Sequence, residues 1–286
     1  MRTTTTRAVL IGLGIALGAS SASAGTLFVG ADVEEFTPFL PDRLGKVTTN
    51  AGAFVSQIII PLGNLPSGAP ILLNGMADGG GFLFAGTPGL NTLHRLDYNG
   101  NLISSINAPD IPSGTCCNEE MLFAADGKFY HAHYSDVIRQ IDPVTGDQLA
   151  IFSQPDVVGM ALVGTEIWIS KWNGESFGIW DPATNTYTAK KELGVGVDVA
   201  NVGALAYDPG ANIMWVGRQG GLVEAYDLSS PTIDLIPGSG FQPFGNIPDT
   251  IDGLVFLGEV RVPEPGSLAL LAVALLGFGF ARRKVQ

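Results

Sequence analysis

The sequence predicts an all-β chain folded as a five-bladed β-propeller, and three observations carry that prediction. A recurring Asp closes a strand-like run and opens a turn, in Arg95-Leu96-Asp97-Tyr98, Gln140-Ile141-Asp142-Pro143, Ile179-Trp180-Asp181-Pro182 and Ala225-Tyr226-Asp227. These four sites are spaced by 45, 39 and 46 residues, close to the period of a four-stranded blade, about 40–50 residues. Between them lie short apolar runs of strand length, punctuated by turns drawn from 38 Gly and 18 Pro. Finally, the first repeat lacks an innermost strand, and Asp252-Gly253-Leu254-Val255-Phe256 supplies one that matches the runs at 158–162 and 202–206. A ring closed in this way leaves no free edge at its seam. A β-sandwich or β-helix of short strands is the alternative architecture.

The elements follow in order. Residues 26–30, 45–49 and 54–60 give three strands of the first repeat, and 74–106 forms the second. The third reads as strands at 119–124, 128–133, 137–142 and 148–152, with turns at 125–127 and 144–146. The fourth reads as 159–163, 166–170, 177–181 and 186–191, and the fifth as 203–207, 213–216, 222–227 and 232–236. Each recurring Asp has a local task that explains it. Its carboxylate accepts backbone N–H groups two residues on, while Pro143 and Pro182 preset the next dihedral. Trp168, Trp180 and Trp215 fall where rings pack between sheets. The Ile-Asp-Pro-x-Thr-Gly style of these repeats resembles that of quinoprotein-like and YVTN-type propellers, a resemblance that implies fold and specifies no activity.

Both ends read as targeting segments. Arg2 and Arg7, the apolar residues 8–19 and Ala22-Ser23-Ala24 have the layout of a secretory signal, so 1–24 is expected to be removed and the propeller ectodomain to span 25–262. At the other end, Pro263-Glu264-Pro265 precedes an apolar run, 266–281, and then Arg282-Arg283-Lys284. That run is marginally long for a transmembrane helix, since roughly 17 residues is the lower limit, and the basic end stays cytoplasmic. The 263–286 tail resembles the PEP-CTERM signal. The resemblance implies an exosortase-type processing protease as partner, an inner-membrane-anchored precursor, and a destination at the cell surface or extracellular matrix of a Gram-negative bacterium that exports polymer.

Setting aside 1–24 and 266–286 leaves ten Lys and Arg against all 27 Asp and Glu, a net charge of −17. Such a field disfavours nucleic acid and anionic lipid. No Gly-x-Ser-x-Gly elbow, phosphate-binding Gly-Lys-Ser/Thr loop or His-Glu-x-x-His is present.

The start of each inner strand and the end of each second strand are expected on one face, and there the third repeat differs from its siblings. It gathers Cys116, Cys117, Glu119, Glu120, His131 and His133, with Glu120 at the place of Gly75, Gly159, Gly203 and Gly253. His131 and His133, at i and i+2, point to one side of a strand and suit Zn²⁺ or copper, or serve local hydrogen bonds. Cys116 and Cys117, the only cysteines, form a strained vicinal disulfide, remain thiols or bridge to another chain. Glu119, Asn201 and Asp252 are similar in position to the oxygen ligands of gluconolactonase-like propellers, which implies Ca²⁺ as the other candidate cofactor; a solvated acidic rim is the plainer reading.

The expectation is therefore a non-enzymatic surface or matrix module associated with exopolysaccharide or other surface components. A metal-dependent hydrolase or lyase, or a metal- or redox-carrying propeller, are the alternatives.

Overall fold

A computed structural model describes residues 24–32, 42–68, 71, 73–87, 91–110, 119–133, 137–171, 177–189, 202–229, 232–245 and 250–258. Among the described residues the regular elements are β-strands, arranged as five four-stranded antiparallel sheets. Blade 1 comprises β1 (Ala24–Asp32), β2 (Arg43–Asn50), β3 (Ala53–Ile60) and, innermost, the last strand of the chain, β20 (Thr250–Leu257). Blade 2 runs outward through β4 (Met76–Asp78), β5 (Leu83–Thr87), β6 (Thr92–Leu96) and β7 (Leu102–Asn107). Blade 3 has β8 (Glu119–Phe123), β9 (Phe129–His133), β10 (Val137–Ile141) and β11 (Gln148–Ser153). Blade 4 has β12 (Val157–Val163), β13 (Glu166–Lys171), β14 (Gly178–Asp181) and β15 (Thr186–Ala189). Blade 5 has β16 (Val202–Asp208), β17 (Ile213–Arg218), β18 (Val223–Asp227) and β19 (Asp234–Leu235).

The expected seam is present: Thr26 pairs with Leu257, Phe28 with Val255 and Gly30 with Gly253. The core is divided among the five gaps between blades. Trp180 fills the gap between blades 3 and 4, Trp168 that between 4 and 5, and Trp215 that between 5 and 1. The repeated Asp residues cap their turns as expected. Asp142 Oδ1 accepts the N–H of Val144 at 2.7 Å and of Thr145 at 3.1 Å, and Asp97, Asp181 and Asp227 accept equivalent N–H groups.

Two features depart from the sequence reading. The outer strand of blade 5 is only Asp234–Leu235, because Pro237 lacks an N–H and Gly238 turns with φ +76°. The edge of β18 is then completed by Phe241, which exchanges both backbone hydrogen bonds with Val223. The following residues strap blade 1. Gln57 Nε2 donates to the Pro243 carbonyl, Arg43 to the Phe244 carbonyl, and the Phe54 and Phe241 rings lie 4.9 Å apart. The seam is thus fastened twice, once at the axis by β20 and once at the rim.

The second departure concerns the glycines. β12, β16 and β20 each carry a bulge where the inner strand enters the sheet, with Val158, Gly203 and Asp252 as the extra residues. Gly203 therefore does not align with Gly159 and Gly253; Ala204 takes that place. The small residues serve crowding near the axis. A Cβ on Gly159 would come within 2.8 Å of Leu205 Cγ, and one on Gly253 within 2.8 Å of Met76 Cγ.

Candidate functional site

The register confirms a common face: Val157 pairs with Lys171, Val202 with Arg218 and Glu119 with His133, so inner-strand starts and second-strand ends lie together. Below that face the inner strands enclose a channel of about 290 Å³, lined by Met76, Met121, Met160, Leu205 and Leu254 and, further down, by Asp78 and Phe256.

Glu120 immediately precedes Met121 of the channel lining. Its side chain is fully buried, Oε1 accepts the N–H of Met121 at 3.1 Å, and Oε2 accepts the N–H of Leu205 from blade 5 at 3.4 Å. The N–H of Met76 in blade 2 also donates to this carboxylate. An inner strand has no neighbour on its axial side, so its inward N–H groups need acceptors; Glu120 supplies them for three blades. Burial pushes its carboxyl well above the usual carboxylate range, the backbone donors oppose that rise, and the nearby Asp252 adds to it. Asp252 is itself buried at the start of β20.

Glu120 and the histidines are not brought together as the sequence suggested. In the β8–β9 ladder Glu120 is opposite Ala132, whereas Met121 and Glu119 are opposite His131 and His133. Alternation sends Glu120 to one face of the sheet and both histidines to the other. His131 and His133 are both buried, beside the gap to blade 2 in which Phe129 and Met121 pack. Cys116, Cys117 and Asn201, the side chain of Glu119, and the tail residues Pro263, Glu264, Pro265, Arg282, Arg283 and Lys284 lie outside the described residues. Among the described residues no three His, Cys, Asp or Glu side chains form a group able to hold a metal ion.

Sequence reasoning missed a polar knot in blade 5. Arg218 Nε donates to Glu224 Oε2 at 2.5 Å, an Arg218 Nη group donates to the Tyr226 hydroxyl, and that hydroxyl donates to Glu224 at 2.9 Å. Burial pushes the Tyr226 hydroxyl up to about 12 despite the adjacent guanidinium. The alternation of Glu224 and Tyr226 along one face of β18, beside the end of β17, was the available signal. The third histidine, His94, is structural: Nδ1 lies 2.9 Å from Ser105 Oγ, and burial lowers its pKa.

Comparison with known proteins identifies one segment. The model of the PEP-CTERM protein-sorting motif matches residues 261–284. No curated protein matches the chain. Among solved structures, the glutaminyl cyclase of Myxococcus xanthus is similar at 12% identity over 75% of this chain and 83% of that one, with a TM-score of 0.44. A chain of the mitotic checkpoint complex is similar at 12% identity over 68% and 59%, with a TM-score of 0.38. Neither likeness bears on activity. The sorting motif implies export, a membrane-anchored precursor and processing by exosortase. The chain is an exported β-propeller protein that carries a PEP-CTERM sorting motif at its C-terminal end.

Proposed function

We propose that the mature protein is a non-enzymatic binding and structural module of the cell surface or extracellular matrix of a Gram-negative bacterium, associated there with exopolysaccharide. In this reading residues 1–24 are removed on export and the 263–286 tail is released by exosortase. The observation that carries it is the use made of Glu120. The carboxylate that crosses the axis, where propellers often hold ligands, is committed to main-chain donors of three blades. A group spent in this way stiffens the ring rather than attacking a substrate. The remaining acidic surface, net −17 over residues 25–265, suits a hydrated polymer matrix containing cationic groups or bridging cations.

A metal-dependent hydrolase or lyase, or a metal carrier, keeps one supporting observation: Glu119 pairs across the ladder with His133. The two readings separate in one experiment. Protein recovered from the surface of polymer-producing cells should remain with the sedimented polymer and be released into the medium by an otherwise identical polymer-deficient strain, and it should carry no stoichiometric metal. Equal release from both strains, together with one bound transition metal per chain that His133→Ala removes, would overturn the binding-module reading.

A further inference from the structure

The outer rim of blade 1 is unlike the rest of the molecule. Of the nine large hydrophobic residues exposed among the described residues, four lie on β3: Phe54, Val55, Ile58 and Ile59, the last two exposed by 67% and 46%. In β7 and β11, the corresponding outer strands of blades 2 and 3, exposure alternates, because one pleat face packs against the neighbouring blade. β3 is exposed at seven consecutive positions, so both of its faces meet solvent.

Charge singles out the same place. In a chain with 27 acidic residues, residues 43–77 contain none, and neither do 235–248, which include the strap packed against β2 and β3. Arg43 and Lys46, on β2, stand next to β3, with Lys46 paired to Ile58 and Gly45 to Ile59. The patch is therefore apolar and cationic on a body that is strongly anionic.

The chain leaves the ring on this same blade. Leu257 pairs with Thr26, Gly25 with Thr49, and Thr49 with Phe54, so the last described residues and the Phe54 end of β3 share one end of the sheet. β20 and β3 are three strand spacings apart, about 14 Å. Seven residues, 259–265, separate the ring from the apolar run that starts at Gly266; such a segment reaches at most about 25 Å. In the anchored precursor the Phe54 end of β3 cannot be far from the bilayer.

We infer that the outer rim of blade 1 is a membrane-docking surface, and that before processing it rests on the bilayer interface with Phe54, Val55, Ile58 and Ile59 among the headgroups and Arg43 and Lys46 facing anionic lipid. The unpaired edge of β3 stays at headgroup depth, where water and phosphate oxygens satisfy its N–H groups, because such an edge is not tolerated in the hydrocarbon layer. A second copy of this chain is the less suited occupant: pairing β3 to β3 would set cation against cation and bring two bodies of charge −17 together. Docking holds the ring on its side and presents the PEP segment at the membrane surface.

The test uses the full chain inserted by its tail into phosphatidylcholine vesicles, with or without phosphatidylglycerol, after Cys116 and Cys117 have been replaced by Ser. A polarity-sensitive fluorophore is attached at Ile58→Cys or, as a control on the exposed outer strand of blade 3, at Leu149→Cys. The inference expects a blue shift and several-fold stronger quenching by lipid-borne spin labels at position 58 only, dependent on phosphatidylglycerol and largely abolished by Lys46→Glu. Identical spectra at the two positions would overturn it. So would protection at position 58 that rises with protein density and ignores lipid charge, which would assign the strand to a second copy.

Discussion

Replacing Glu120 with Gly or Ala should destabilise the protein by about 3 kcal/mol or more, because each buried N–H left without an acceptor costs roughly 1–3 kcal/mol. Read from the repeats alone, Glu120 is a charge standing where a glycine belongs, and its removal would be expected to help. The structure reverses that expectation, since the carboxylate joins the main chains of blades 2, 3 and 5. Glu120→Gln should be milder, because the amide oxygen keeps part of the acceptor role. The same residue sets a pH dependence. With its folded pKa raised above its unfolded value, Glu120 contributes stability that is complete below about pH 4.3, the unfolded carboxyl value, and is lost as pH rises through the folded pKa. Asp97, held low chiefly by the Asn101 side chain, and Asp181, held low by the Ala183 N–H, act oppositely and lose their contribution in acid. His94, whose pKa burial lowers, opposes this by losing its contribution as pH falls below about 6.5, so the test is a difference: on acidification from neutrality toward pH 5 the parent should gain stability relative to Glu120→Gln in thermal melts. A Gly variant that melts at or above the parent temperature would refute the axial role.

Deleting residues 249–260 should be more damaging still and should abolish cooperative unfolding. β20 buries Ile251, Leu254 and Val255 in the gaps beside blade 1. At roughly 1.5–3 kcal/mol for each buried side chain, those three alone approach the lower end of a domain's total stability, about 5–15 kcal/mol. The loss of pairing with β1 adds to this and leaves the inner edge of β1 unprotected. Replacing Val144, exposed in the turn between β10 and β11, with Ala serves as the control and should change the melt little. If the β20 deletion melts like that control, the ring does not depend on its seam.

The blade repeat was legible because its cause is local: each Asp answers to the N–H groups of its own turn, and each short strand to its own alternation. The seam was legible for a related reason, since Gly253–Phe256 repeats the pattern of inner strands that precede it in the chain. What the sequence concealed depends on distant segments meeting. Nothing near Glu120 in the chain announces that Leu205 and Met76 present N–H groups across the axis, and alternation along β8 and β9 had to be combined with their register before Glu120 parted from His131 and His133. The bulge at Gly203, which shifts blade 5 by one residue against the glycine alignment, is likewise a property of the ladder. The apolar rim of β3 was visible as a strand and invisible as a surface, because an uncovered Ile reads the same as a buried one.

The claim that this is an exported propeller sorted by its tail is tested most directly by the intact mass of the protein recovered from the cell surface. The account predicts a single species that begins near Gly25 and ends close to Pro265, free of both targeting segments. A surface form that still carries Arg282, Arg283 and Lys284 would contradict release by exosortase and leave the tail as a permanent anchor.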